Sequence, residues 1–266
     1  MMKQFVFTAV ALAGVVAASP AAAQGGCSRE LLDGIAGDWV SAVEKGSGFE
    51  LDLGEWVDFQ ANLEIGFMGE FLDTPRQVDW RQALLDTTSC KVMVESVILD
   101  EAEPMVLSTV LTNGFFGVSP ISNIVTKQGD WQFNAAATAQ HAQAEDWAPI
   151  PEGQRATRDE LLAVTNAYLD RLGDSSVQVP WADGCVRIDA GVPIASCEAG
   201  LTGNVAAADR QYTVDDVLGA VNVQLRLGEQ RRAGSITLRI EDGKVRYVHT
   251  IANCGGEADC GLPQTS

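Results

Sequence analysis

Apolar and polar residues alternate most regularly in "SITLRIEDGKVRYVHTIA", residues 235–252, where two strand-like runs meet at Asp242-Gly243. That dipeptide suits the left-handed backbone of a two-residue hairpin turn. Counting outward from the turn predicts a register in which Glu241 faces Lys244, Leu238 faces Tyr247 and Ile236 faces His249. Ile236, Leu238, Ile240, Val245, Tyr247, His249 and Ile251 then share one face. The stretch "ISNIVTKQGDWQFNAAA", residues 121–137, predicts a second hairpin around Gln128-Gly129. Shorter strand patterns precede each hairpin: "SCKVMVESVIL" and "PMVLSTVL" before the first in the chain, "YTVDD" and "AVNVQLRLG" before the second.

Each half opens on a helical period instead. Leu31, Ile35, Trp39 and Val43 recur on one face, with Ser28 as cap and Gly46 as stop. Leu161, Val164, Tyr168 and Leu172 do the same, with Thr157 and Glu160 as a capping box and Gly173 as stop. A helix buries its stripe on one face of the sheet that follows it. The expected fold is therefore α+β, two tandem cone-like units, each with helices packed on a curved antiparallel sheet. The proline- and acid-containing stretch around residues 142–153 separates the halves. The expected organisation is a signal peptide at 1–23, a first unit at 24–144, a linker at 145–156, a second unit at 157–254 and a tail at 255–266.

The leader carries one lysine, an apolar stretch from Phe5 to Ala18 and the small run Ala21-Ala22-Ala23, the pattern of a secretory signal peptide. Export to a periplasmic or extracellular space makes the cysteines disulfide partners. Proximity suggests Cys27 with Cys90, Cys185 with Cys197 and Cys254 with Cys260. The net charge is −18. Such a surface repels nucleic acid and anionic lipid, and after the leader no apolar run reaches membrane-spanning length. Neither nucleic acid nor a membrane is an expected partner; a small apolar or aromatic molecule and a second copy in a homodimer stay open as alternatives. No C-x-x-C pair, P-loop, G-x-G-x-x-G, H-E-x-x-H or G-x-S-x-G motif is present. No cofactor and no metal site are expected.

Helix-then-sheet units with "AYLDRL" early and "GKVRYVHT" in the closing strand resemble the nuclear-transport-factor-2-like superfamily, the cone fold also used by ketosteroid isomerases, scytalone dehydratases and polyketide-cyclase-like proteins. More narrowly, "RATRDELLAVTNAYLDRL", "VPWADGCVRIDAG", the C-x-x-G at 197–200, "RQYTVDDVLGAVNV" and "IEDGKVRYVHTIANC" are similar to a secreted domain of unknown function found in fungi and bacteria, over about residues 147–254. The first half resembles only the broader fold, through "CSRELL" and "FQANLEIGFMGEFL". Gly234-Ser235-Ile236 stands where the narrow resemblance implies a Ser-His pair.

In a cone fold the apolar hairpin face meets the helix and the cavity, so the expected register aims His249 into that cavity. Desolvation there favours a neutral imidazole, a usable base. The competing reading is a core histidine with both nitrogens satisfied. Tyr168 and Arg187 are the candidate stabilisers of an enolate-like intermediate, and Trp181, Asp183, Tyr247, Ile236 and Leu238 the candidate ligand contacts. Asp215 and Asp216 are expected in a solvated turn, and His141 on the surface. Aligning Gly129 with Gly243 places Trp131, Phe133 and Ala135 at Val245, Tyr247 and His249, which leaves the second unit as the better site. Three functions compete: a pocket for a small apolar or aromatic molecule, a cofactor-independent lyase, isomerase or cyclase using His249 as acid/base, and a structural module whose sheets pair without ligand.

Overall fold

The computed structural model describes residues 27–194 and 196–264; the expected signal peptide lies outside the described residues. The first unit begins with α1 (Arg29–Lys45), followed by β1 (Phe59–Ala61), β2 (Glu64–Ile65), the single turn α2 (Met68–Phe71), β3 (Trp80–Asp86), β4 (Lys91–Ile98), β5 (Met105–Gly114), β6 (Gly117–Lys127) and α3 (Ala135–Ala142). The second has α4 (Arg158–Gly173), β7 (Trp181–Asp189), β8 (Val192–Ile194), β9 (Ala207–Asp215), β10 (Ala220–Leu227), β11 (Arg232–Glu241) and β12 (Lys244–Ala252).

The strand orders are β2-β1-β6-β5-β4-β3 and β8-β7-β12-β11-β10-β9, one topology used twice. The fold is α+β and tandem. In each sheet the unit's first strand runs parallel to its last, β1 with β6 and β7 with β12, so the sheets are mixed.

Local chemistry sets the helices. Ser28 accepts the Leu31 N–H at 3.1 Å, and Gly46 ends α1 in the left-handed region at φ 61°. The capping box of α4 is closed in both directions, Thr157 on the Glu160 N–H and Glu160 on the Thr157 N–H. Leu32, Ile35, Ala36, Trp39 and Val43 form the buried stripe of α1; Leu31 is 46% exposed, one position off the expected stripe. The α4 stripe of Leu161, Tyr168, Leu169 and Leu172 packs on Val223, Leu225, Ile236, Leu238 and Val248. Each sheet thus has one face under its helix. The opposite faces of the two sheets pack on each other, where Ile251 meets Val97, Val106 and Ile124 of the first unit.

Two expectations are corrected. Gln128-Gly129 does not turn a hairpin: β6 pairs back onto β5 through the Phe115-Phe116 tip, and after Lys127 the chain leaves the sheet. Asn134 then caps α3 by accepting the Ala137 N–H, and the alanines that read as a strand continue as helix. Trp131, Phe133 and Ala135 are therefore not strand equivalents of Val245, Tyr247 and His249.

The second correction concerns register. Asp242 and Gly243 do turn through positive φ, 51° and 72°, and Glu241 does face Lys244. Beyond Ile240 and Val245, however, the next pair is Arg239 with Tyr247, so Arg246 is an extra residue in β12. Arg246 donates to the Gly184 carbonyl and stacks 4.9 Å over the Tyr247 ring. Past this bulge Leu238 faces Val248, Thr237 faces His249 and Ile236 faces Thr250. Val248, not Tyr247 or His249, lies under α4 with Ile236 and Leu238.

Candidate functional site

The bulge turns His249 away from the helix and toward the other sheet. Its Nδ1 lies 2.7 Å from Glu95 Oε1, on β4, and its Nε2 lies 2.8 Å from Glu145 Oε2, on the segment after α3. All three side chains are at most 4% exposed. Thr237 donates to the other Glu95 oxygen at 3.1 Å, and Trp147 Nε1 donates to Glu145 Oε2 at 3.0 Å. The Trp80 and Trp147 rings cover the imidazole at centroid distances of 6.2 and 5.9 Å. The Tyr247 hydroxyl, on the same face, accepts the Asp146 N–H.

Burial alone would drive His249 neutral. The charges and hydrogen bonds of Glu95 and Glu145 outweigh it and hold its pKa well above the ordinary imidazole value. An imidazolium that gives both N–H groups to carboxylates has no lone pair with which to accept a proton. This is chemistry opposite to the neutral base expected in an apolar pocket.

Tyr168 and Arg187 occupy the other side of the sheet. With Asp189, Ile236, Thr250 and Leu201 they line a cavity of about 50 Å³ under α4. Arg187 is fully buried and gives its donors to Asp189 (3.1 Å) and to the carbonyls of Cys197 (2.6 Å) and Ala199 (2.7 Å). Burial pushes the Tyr168 hydroxyl pKa upward. Thr250 lies beside the Tyr168 hydroxyl, and the hydrogen bond between the two side chains works against that upward shift. A cavity of this size holds a few waters, well short of the several hundred Å³ of a usual ligand pocket. Trp181 packs edge-on to Tyr168 at 6.0 Å, Asp183 is exposed, and Leu238 belongs to the core. The structure thus brings Tyr168, Arg187, Trp181 and Ile236 together and separates them from His249 and Tyr247.

Three disulfides join Cys27 to Cys90, Cys185 to Cys197 and Cys254 to Cys260. They fit an oxidising compartment. Cys185–Cys197 closes the loop whose carbonyls receive Arg187. Among the described residues no helix is long and apolar enough to cross a membrane.

Around His249 the paired faces are polar. Asn222 donates to Ser235 (2.8 Å) and Thr237 (2.9 Å), Ser235 donates to Ser108 (2.8 Å), and Gln224 donates to the carbonyls of Ser108 (3.0 Å) and Ser122 (3.1 Å). Two further contacts lie at the β3 and β9 ends. Arg29 grips Asp215 through both carboxylate oxygens (2.7 and 3.0 Å), and Arg158 grips Asp86 likewise (2.8 and 2.9 Å). Asp215 also accepts the Leu85 N–H, and Asp86 the Val214 N–H. Burial favours the neutral acid at Asp86, but Arg158 and the N–H groups of Val214 and Ser89 prevail and lower its pKa. Asp215 is fully buried rather than in a solvated turn; Asp216 is exposed. His141 is half-buried on α3.

Sequence reasoning missed Glu95, Glu145, Asp86 and the two arginines. A usable signal existed in "SRELL" and "TRDELL": both helices carry arginine at their first position, where the helix dipole disfavours a cation. An arginine kept there calls for an acidic partner from elsewhere.

Residues 154–252 match the family model of a domain of unknown function, DUF8021. The match lies in the second half of the chain, from just before α4 to the end of β12. No curated protein and no solved structure matches the chain.

Proposed function

We propose that this is an exported, disulfide-braced structural module in which two units of the nuclear-transport-factor-2-like kind are held together through their sheet faces. One observation carries the reading: His249, the best candidate for acid/base chemistry, is clamped on both ring nitrogens, by Glu95 of the other half and by Glu145 of the segment that joins the halves. The cone-fold assignment is supported by a helix lying across a six-stranded sheet in each unit. Export is supported by the leader pattern and by the disulfides. A His249→Ala variant tests the pairing role. Removing one partner of a buried ion cluster costs about 3–5 kcal/mol, and chemical denaturation should show a loss of that order. A variant that keeps full stability but loses conversion of an aromatic or lactone substrate would instead support the lyase or isomerase reading.

A small-molecule pocket in the second unit is the second reading, supported by the cavity that Tyr168, Arg187, Asp189 and Thr250 line under α4. Gly200, Leu201, Thr202 and Val205 also line that cavity. Native mass spectrometry of the purified protein tests this: a retained small molecule supports the pocket, and bare protein mass counts against it.

A further inference from the structure

The two sheets meet about an internal two-fold relation, which follows from the registers. Asp86 faces Lys91 in the first unit as Asp215 faces Ala220 in the second. Four residues further along β4 and β10, Glu95 faces Ser108 and Gln224 faces Ser235. On the closing strands Val110 faces Ser122 and Thr237 faces His249. The equivalent positions are therefore Arg29 and Arg158, Asp86 and Asp215, Glu95 and Gln224, Ser108 and Ser235, Ser122 and His249.

Contacts across the interface obey this equivalence. Arg29 with Asp215 is the mirror of Arg158 with Asp86, and Leu85 N–H on Asp215 is the mirror of Val214 N–H on Asp86. Ser108 meets its own equivalent, Ser235. An interface in which residue i meets j and j meets i is isologous, the geometry of a two-fold dimer. Each unit holds both halves of every such contact: the second has Arg158, Asp215 and Ser235 on one surface.

One pair of positions breaks the equivalence. Glu95 meets His249, whereas at the mirrored place Gln224 meets the carbonyls of Ser108 and Ser122. Two second units paired this way would set His249 opposite Gln224 and, lacking residue 145, leave it with neither carboxylate. His249 would then bury as a neutral ring and forgo the two carboxylate contacts that it makes with Glu95 and Glu145. A device that penalises the wrong partner is how specific pairing is achieved.

We propose that the pairing face of the second unit is self-complementary and accepts a second copy of the second unit, and that the Glu95–His249–Glu145 cluster selects the first unit over that copy. This rests on the pairing reading. All three disulfides lie within one half or the other, so cutting the exposed Glu152–Gln154 segment leaves no covalent link.

The test uses the full folded chain with a protease site at Glu152–Gln154, cut after purification and followed by native mass spectrometry. The expected result is a majority of first–second pairs with a minority of second–second pairs. Glu95→Gln, which gives the first unit the second unit's residue, should raise the second–second share by about tenfold, equivalent to about 1.4 kcal/mol. Asp215→Asn should deplete second–second pairs more than first–second pairs, because it damages two arginine contacts in the former and one in the latter. First–second pairs alone, in wild type and Glu95→Gln, overturn self-complementarity and leave the pairing reading standing. Each second–second pair leaves two first halves over, so free first halves accompany the expected result; free second halves with no pairs of either kind overturn both. A second–second share that Glu95→Gln leaves unchanged overturns the selecting role of the cluster.

Discussion

The two faces of the second sheet are both buried, yet they are filled by opposite chemistry. Under α4 lie Val223, Leu225, Ile236, Leu238 and Val248, hydrocarbon broken by Arg187 and its fixed partners. Against the first unit, beside the apolar Ala220 and Ile251, lie Asn222, Gln224, Ser235, Thr237 and His249, each of which hydrogen-bonds another face residue or the other unit. The first face needs only to exclude water, and many apolar shapes would do so. The second is specified by named donors and acceptors, although the buried Asn222 Oδ1, Gln224 Oε1 and Ser122 Oγ stay without a partner, and an error adds to that number. The difference teaches that burial alone does not identify a core: one face makes a unit, and the other chooses its neighbour.

The comparison is broken most severely by Leu238→Ala. On the hydrocarbon face it should cost about 2–5 kcal/mol, seen by denaturant titration, with the pH dependence of stability unchanged. On the polar face, Thr237→Val removes the hydroxyl that Glu95 and Asn222 share and should cost about 1–3 kcal/mol. A cost below that range would erase the distinction.

A pH series sharpens the contrast next. The His249 pKa is raised, so its contribution is fully present below its unfolded value of 6.5 and is lost as pH rises through the folded value. The Asp86 pKa is lowered, so its contribution is present above its unfolded value of 3.8 and is lost as pH falls through the folded one. Thermal melts across pH should show the alkaline arm disappearing in His249→Gln and the acid arm shrinking in Asp86→Asn. The smallest expected effect is Tyr168→Phe on the hydrocarbon face, at most about 1 kcal/mol. A larger loss would mean that the Tyr168 hydroxyl organises Thr250 and Arg187 more than the packing implies.

Much of the unit architecture could be read from the sequence, because caps, turn dipeptides and strand alternation are local signals. The capping box at Thr157 and the turn at Asp242-Gly243 are where the pattern puts them. The repeat was also legible, though its first hairpin was displaced because an alanine run suits helix as well as it fills a strand face, and Asn134 decided between them. Register was not legible. At the bulge Arg246 donates to the Gly184 carbonyl, a partner far away in sequence. From that one residue follow the side of the sheet on which His249 lies and its separation from Tyr168 and Arg187. Glu95 was hidden for a related reason: within "KVMVESVI" it reads as one polar residue on a strand's wet face, and only the second unit makes that face dry.

The extra residue in β12 acts as a phase marker for everything after it. A strand carries two messages, one for each side of the sheet, in odd and even positions. Arg246 exchanges which message is read where, so deletion of this half-buried arginine would present His249 to the helix and Val248 to the neighbouring unit without altering either side chain. Length variation at this point in the strand is therefore equivalent to substituting every residue from Tyr247 to Ala252 at once. Between related sequences, the spacing from the Asp242-Gly243 turn to the histidine tells more about its surroundings than the presence of the histidine itself.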